Sequence, residues 1–475
     1  MEQVSLQKVK NQYHNSAYEE KKIRELLKQE LDQTVLKIIV LDDDPTGVQT
    51  VHDVFVYTHW DEKSILQGFE AKDRVFYILT NSRAMTEQQT IQVHRELARS
   101  IIKAAKQTGK PFLIISRGDS TLRGHYPLET QILREELEVG LQRPVDGELL
   151  IPFFEAGGRY TIQNTHYVKY QDELIPAAET EFARDKTFGY TKSDLAEYIE
   201  EKTKGEYPAE AVAAISLEQV RGADLQGMED ILYGAKDFSK VIVNALEPKD
   251  LETFCVAFYR ALAKGKYFLF RTAADFVKAA GGIDNQPLLR KSEMTALDNG
   301  HGGILVVGSH TEKTTAQLNE LKNIEKLEFI EFNSDLVLED RLEEEIARVT
   351  ALSSKLIEQG RTVVTYTKRR LLTLEQDTKE EALLRSVKIS EAVLQLVQKL
   401  TVTPRFVIAK GGITSSDIGV KALGVQKAYV LGQVRPGIPV WRTDEQSLFP
   451  GIPYIIFPGN VGEKDTLKRV LEELL

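Results

Sequence analysis

The sequence predicts an α/β protein with two domains, each a mainly parallel sheet flanked by helices. Three observations predict it. Short apolar runs alternate with longer amphipathic stretches along most of the 475 residues, which is the pattern of strand–helix–strand units. That length is more than one hydrophobic core usually organises. A polar, glycine-containing stretch at 281–303, GGIDNQPLLRKSEMTALDNGHGG, separates two such series and reads as a linker. The division that follows is an N-terminal helical extension at 1–35, a first domain at 36–285 and a second at 300–475.

The elements are justified in chain order. Residues 16–31 carry Ile23, Leu26, Leu27 and Leu31 on one stripe of a charged helix. This reads as a helix packed on the body, with a dimerisation arm as the sharper alternative. Strands are expected at 37–41 (KIIVL), 75–79 (VFYIL), 112–116 (FLIIS), 149–153 (LLIPF), 212–216 (VAAIS), 240–245 (KVIVNA) and 267–270 (YFLF). Helical patterns lie between several of them, at 87–107 and 128–141, and Ser193 opens another with Asp194 and Glu197 in its first turn. The second series has strands at 303–308, 327–332, 362–367, 406–410, 428–432 and 454–458, with helices at 339–358 and 380–399.

Composition excludes several classes. Asp and Glu number 71 against 61 Lys and Arg, a net charge of −10. That balance argues against nucleic acid or an anionic membrane as a partner. One cysteine, Cys255, leaves no disulfide framework and no multi-cysteine metal site, and it reads as a buried small hydrophobe. The eight histidines show no metal-ligand spacing, so no protein-held metal is expected. No run of about 20 apolar residues is present, and the polar N-terminus has no signal core. The expected location is cytoplasmic.

In open α/β sheets, ligands bind beyond the carboxyl ends of strands, and there the chemistry collects. LDDDPTGVQT follows the first strand and crowds Asp42, Asp43 and Asp44 into one turn, an arrangement that needs donors, a cation or a polar ligand to offset it. SRGDSTLRGHYP follows 112–116 and sets Arg117 and Arg123 around Asp119, Ser120 and Thr121. Paired guanidiniums suit a carboxylate or phosphate. The null for these two motifs is an Asp-rich capping turn and a salt-bridged loop. Arg83 in TNSRAM, and Gly158 and Arg159 in PFFEAGGRYT, are weaker signals of the same kind. Acid, hydroxyl and guanidinium groups together fit a small polyhydroxylated acid better than an apolar ligand.

The second series offers glycine turns instead. Gly308, Ser309 and His310 occupy one strand-to-helix junction, and Gly411, Gly412 and Thr414 another. Gly437 in QVRPGIP and Gly459 in FPGNVGEKDTL add two more turns. Backbone N–H groups at such junctions cradle anions, which points to a nucleotide phosphate. There is no GxxxxGK[ST] loop, GxGxxG fingerprint, HExxH, GxSxG elbow or protein-kinase signature.

These motifs in this order resemble the four-carbon acid sugar kinase family. The resemblance runs from about residue 36 to the C-terminus. It is carried by Asp43-Asp44-Pro45-Thr46-Gly47, Ser82-Arg83, Asp119-Ser120-Thr121-Leu122-Arg123-Gly124, the stretch 152–159, Gly308 to Gln317, Gly411 to Thr414, Pro436-Gly437 and Gly459 to Gly462. Departures are Asp42 for a small residue, Arg117 for lysine, Arg271-Thr272-Ala273-Ala274 for a glycine/serine-rich turn, and Pro458 near a position often held by lysine. The resemblance implies an acid-sugar-binding domain and a nucleotide-binding domain with an active-site cleft between them. It further implies phosphoryl transfer from ATP, with Mg2+ on the phosphates, to a hydroxyl of a tetronate, 3-oxo-tetronate or related aldonate. Asp43 or Asp44 would be the base and Asp119 an orienting or alternative base. Arg83, Arg117, Ser120, Arg123, Gly158 and Arg159 would hold the acid. Ser309, His310, Gly411, Gly412, Thr414, Gly437 and Gly459 would hold ATP. The alternative is a non-catalytic sugar-acid sensor of the same fold. The partners are then small molecules, and a homodimer is compatible with the sequence.

Overall fold

Strand Lys37–Asp42 is buried at every position, as a strand covered on both faces must be. It lies inside a run of seven parallel strands. Their order is Ala213–Ile215, Ser239–Val243, Gly147–Ile151, Phe268–Thr272, Phe112–Arg117, Lys37–Asp42 and Val75–Leu79. The computed structural model describes residues 4–13, 19–294, 299–370, 372, 374, 378–459 and 461–475. The chain forms two compact units, one of Met1–Gly47 with His59–Asn285, the other of Val48–Thr58 with Gln286–Leu475.

In the first unit the helices Glu87–Thr108 and Leu128–Leu141 form close to where their periodicity predicts. The first is closed by a Thr86–Gln89 capping box. The helix expected from Ser193 is capped one residue later. Asp194 accepts from the amides of Ala196 and Glu197, and the helix spans Leu195–Lys202. A second, antiparallel sheet of Val4–Ser5, Glu173–Pro176, Thr165–Tyr170 and Arg159–Ile162 has no counterpart in the sequence reading. Helix Glu20–Gln33 buries Ile23, Leu27 and Leu31 and packs on helix Pro248–Ala263. Arg260 pairs with Glu30 at 2.7 Å across that contact. The stripe therefore covers the body of its own unit; residues 16–18 of the expected helix lie outside the described residues. Cys255 is fully buried in the same apolar packing.

The second unit has five parallel strands, ordered Leu327–Phe332, Thr362–Thr367, Ile304–Val307, Val407–Lys410 and Pro453–Phe457. Antiparallel strands Ile438–Arg442, Lys427–Arg435 and Val54–Tyr57 extend it. The last of these comes from early in the chain. Val54 pairs with Val430 and Tyr57 with Lys427, and the Thr58 hydroxyl donates to the Val425 carbonyl at 2.5 Å. The sequence places 48–58 in the first domain; backbone pairing places them in the second unit. Nor is 281–303 a loose linker. Leu289 is buried and its amide donates to Gln433 O at 2.8 Å, and Lys291–Met294 is helical. Residues 295–298 lie outside the described residues.

Leu27 is 5% exposed. Leu27→Ala is expected to destabilise the first unit by about 2–5 kcal/mol, read from the midpoint of its urea transition.

Candidate functional site

Strand register builds the site in the first unit. Asp42 and Arg117 end neighbouring parallel strands and stand level, so their side chains leave the same face of the sheet. Arg117 Nη1 lies 3.1 Å from Asp42 Oδ1 and 3.4 Å from Asp43 Oδ1. One residue back, Ser116 stands level with Arg271, on the opposite face. There Glu129, on helix Leu128–Leu141, accepts from Arg271 Nη1 at 2.8 Å and from Ser116 Oγ at 3.3 Å. It also accepts from Ser82 Oγ at 2.6 Å. Arg271 Nη2 donates to the carbonyl of Arg123 at 2.8 Å. A Cβ at residue 118 would stand 2.1 Å from Arg271 Cζ, so only glycine lets that guanidinium pass beneath the loop.

Above these buried pairs lies a more open layer. Arg83 pairs with Asp44 and lies 3.2 Å from Asp119. Arg123 closes on Asp119 at 2.8 Å and lies 3.8 Å from Asp185. The amide of Asp119 donates to Asp43 at 3.2 Å, joining the layers. The Phe182 ring stands between two guanidiniums, Arg123 at 5.1 Å and Arg159 at 5.3 Å. Arg159 donates to the Gly157 carbonyl, and its Nε is buried without a partner. Among the described residues, no carboxylate lies within ion-pairing distance of it.

The charges separate the carboxylates by role. Burial drives Asp42 up to about 8 against the pull of Arg117, and drives Asp43 upward as well. Burial also raises Asp44 and Asp119, but their guanidinium and hydroxyl donors outweigh it and hold both below the usual carboxylate range. The guanidiniums therefore hold the exposed edge of the network anionic, while at the buried edge desolvation of Asp42 and Asp43 is opposed by Arg117.

Ser120 is placed through its main chain. His166 Nε2–H donates to the Ser120 carbonyl at 2.8 Å, and Nδ1 then accepts from the Thr161 hydroxyl at 3.0 Å. Gly158 sits in a tight turn at φ +74 whose amide bonds Glu155 O at 2.8 Å, carrying Arg159 into the antiparallel sheet.

In the second unit three strand-end loops converge. The ideal Cβ position of Gly308 lies 2.3 Å from Thr414 Oγ1, that of Gly411 3.3 Å from Ser309 Cβ, and that of Gly459 3.9 Å from the Gly412 amide. Gly411 has φ +131, open to glycine alone. Gly412 is exposed, and a Cβ there would meet nothing within 4 Å. His310 Nε2 lies 3.3 Å from Thr367 Oγ1, and burial lowers its pKa. Gly437 turns the hairpin between Lys427–Arg435 and Ile438–Arg442, and its Cβ position lies 3.2 Å from Val461 in the 459–462 loop.

Residues 38–280 match the sugar-binding N-terminal domain and residues 304–467 the nucleotide-binding C-terminal domain. The chain belongs to the four-carbon acid sugar kinase family. A D-threonate kinase of Salmonella typhimurium is 27% identical over 451 residues, covering 91% of this chain and 97% of that one. Two solved structures share the fold. A Salmonella typhimurium LT2 protein provisionally named a tRNA synthase has a TM-score of 0.67 at 16% identity, covering 92% of this chain and all of that one. A Haemophilus influenzae protein assigned to DUF1537 has a TM-score of 0.59 at 17% identity, with the same coverage.

Within this member of the family, sequence reasoning singled out most of the charged network but missed Glu129 and gave Arg271 no role. Glu129 lies mid-pattern in an amphipathic helix, where a glutamate reads as surface. Lys410 and Arg369, which bond the loops of the second unit, also went unmarked. The signal for Lys410 was its position, ending an apolar strand just before two glycines. Among the described residues no three His, Cys, Asp or Glu side chains are grouped as metal ligands, and no helix is long and apolar enough to cross a membrane.

Burial holds His166 down to about 4, whereas an unfolded histidine titrates near 6.5. The unfolded chain therefore binds the extra proton first, and stability present above about pH 6.5 is lost as pH falls toward 4. Between pH 7 and pH 5 the urea midpoint is expected to drop further for the native chain than for His166→Gln.

Proposed function

We propose that this chain transfers the terminal phosphoryl group of ATP to a hydroxyl of a small sugar acid of the tetronate, 3-oxo-tetronate or related aldonate class. The observation that carries the reading is the uneven pairing of guanidiniums in the sugar-binding unit. Arg83, Arg117, Arg123 and Arg271 each have carboxylate partners, whereas Arg159 has none among the described residues. A part-buried cation with a buried Nε and no counter-ion favours an anionic ligand, and a sugar acid supplies one carboxylate. Arg159 then takes the substrate carboxylate, Arg123 stands across Phe182 from it, and Arg117 serves to neutralise the aspartates. The D-threonate kinase relative supports a four-carbon acid.

Of the three aspartates considered as base, Asp44 fits best. Asp43 is 1% exposed, beneath Arg117 and the Asp119 amide. Asp119 has both oxygens taken, by Arg83 and Arg123 on one and by Arg123 and Thr121 on the other. Asp44 takes the Thr46 amide at 2.8 Å, the Thr46 hydroxyl and Arg83, fewer donors than Asp119, and keeps a lone pair for an incoming hydroxyl. Its depressed pKa keeps it anionic. That suits a loose phosphoryl-transfer transition state, in which the hydroxyl proton leaves late. The acceptor oxygen bonds phosphorus, the bond to the leaving ADP breaks, and the proton passes to Asp44. The nucleotide supplies the phosphoryl group; Gly412, Gly459 and their neighbouring amides bind its phosphates. The strand-end carboxylates are occupied by guanidiniums and do not fit a protein-held magnesium site, so no step here depends on one; magnesium would enter on the phosphates.

An ADP-release assay with ATP against tetronates, 3-oxo-tetronates and longer aldonates tests the reading. No turnover on any of them, with both ligands bound, would leave the sensor instead. Asp44→Asn is expected to cut kcat by about 10²–10⁴-fold while nucleotide Kd, read by calorimetry, stays put; near-native turnover would remove Asp44 as base. Arg159→Gln is expected to raise KM for the acid by about 10–100-fold, the loss of one charge-assisted hydrogen-bonding partner, with the KM for ATP unchanged.

A further inference from the structure

A buried ammonium ordinarily sits against a carboxylate. In the first unit Lys240 does so, with Glu148 at 2.6 Å. Lys410 in the second unit does not. It ends strand Val407–Lys410, stands level with Val307 and Phe457, and is fully buried. Its Nζ donates to the carbonyls of Pro458 at 2.7 Å and Gly459 at 3.1 Å and lies 4.2 Å from the Phe457 ring. No carboxylate among the described residues lies within ion-pairing distance. Burial, with Lys313 adding a like charge, brings it down to about 7.

Arg369 repeats the arrangement one loop away. Its Nη2 donates to the Ser309 carbonyl and, with Nε, to Thr315 Oγ1 at 3.0 and 3.2 Å. Its Nη1 is buried with no partner. It too has no carboxylate within ion-pairing distance among the described residues, and burial alone lowers its pKa.

These two cations face the same peptide geometry. A trans peptide points its C=O and N–H in opposite directions. Drawing Pro458 O onto Lys410 turns the Gly459 N–H away from it, and drawing Ser309 O onto Arg369 turns the His310 N–H away likewise. Among the described residues neither amide donates to a protein acceptor, and nor does that of Gly412. The two loops also meet: the ideal Cβ position of Gly459 lies 3.9 Å from the Gly412 amide.

We propose that Lys410 and Arg369 are positioning residues for the nucleotide phosphates. They hold the strand-end carbonyls inward so that the amides of His310 and Gly459 join that of Gly412 as phosphate donors. Their uncompensated charge is matched when the phosphates arrive. This rests on the nucleotide reading of the second unit and adds to it a charge that glycine turns alone do not supply.

The test is calorimetric titration of the full chain with AMP, ADP and ATP, comparing the native protein with Lys410→Met, Lys410→Arg and Arg369→Gln. The expected result for Lys410→Met is a loss of about tenfold or more for ATP, a smaller loss for AMP, and partial recovery in Lys410→Arg. Arg369→Gln is expected to behave as Lys410→Met does. It is only half-buried and lies outside the strand, so it carries the test if Lys410→Met compromises folding. Native affinity for ATP in both variants would overturn the proposal and leave the nucleotide reading standing. An equal loss for AMP and ATP would also overturn it, because a distorted loop would explain that. A native chain that binds none of the three would overturn the nucleotide reading itself.

Discussion

A guanidinium buried between two carboxylates sets the end of the sheet in the first unit. Arg117 is 4% exposed, and among the described residues its ion-pair partners are Asp42 and Asp43. Removing either side of such a pair leaves an uncompensated buried charge, a larger penalty than the pair's own net stabilisation. The DDD turn must therefore fold back over the strand that carries Arg117. That fold brings Asp44 to Arg83 and Asp43 to the Asp119 amide. The more open layer of Arg83, Asp44, Asp119 and Arg123 is held in place by this buried layer.

The same logic decided what was legible in the sequence. Strands with continuous apolar runs, such as Val75–Leu79, were plain because burial on both faces forbids polar interruptions. The antiparallel strands Arg159–Ile162 and Thr165–Tyr170 were not, being short, with Arg, Thr, His, Tyr and Lys along them. Val54–Tyr57 was missed for another reason. Its partner, Lys427–Arg435, is several hundred residues distant, and no local pattern announces such a pairing. Among site residues the aspartates and arginines stood out because they cluster in sequence. Glu129 and Arg271 lie far from each other along the chain, and the packing of helix Leu128–Leu141 on strand Phe268–Thr272 brings them into contact.

The two units manage charge differently, and their chemistry follows from that difference. In the sugar-binding unit nearly every guanidinium at the strand ends is neutralised within the protein, so little net charge remains for a ligand and Arg159 dominates what does. On the proposed reading, such a site takes a monoanion that also offers hydroxyl groups to Asp44. In the nucleotide-binding unit the loop cations Lys410 and Arg369 bond carbonyl and hydroxyl oxygens and, among the described residues, pair with no carboxylate. A carbonyl dipole satisfies a hydrogen bond without cancelling a charge, so the loops keep a positive potential. That potential suits a polyanion, and glycine keeps the approach free of side chains.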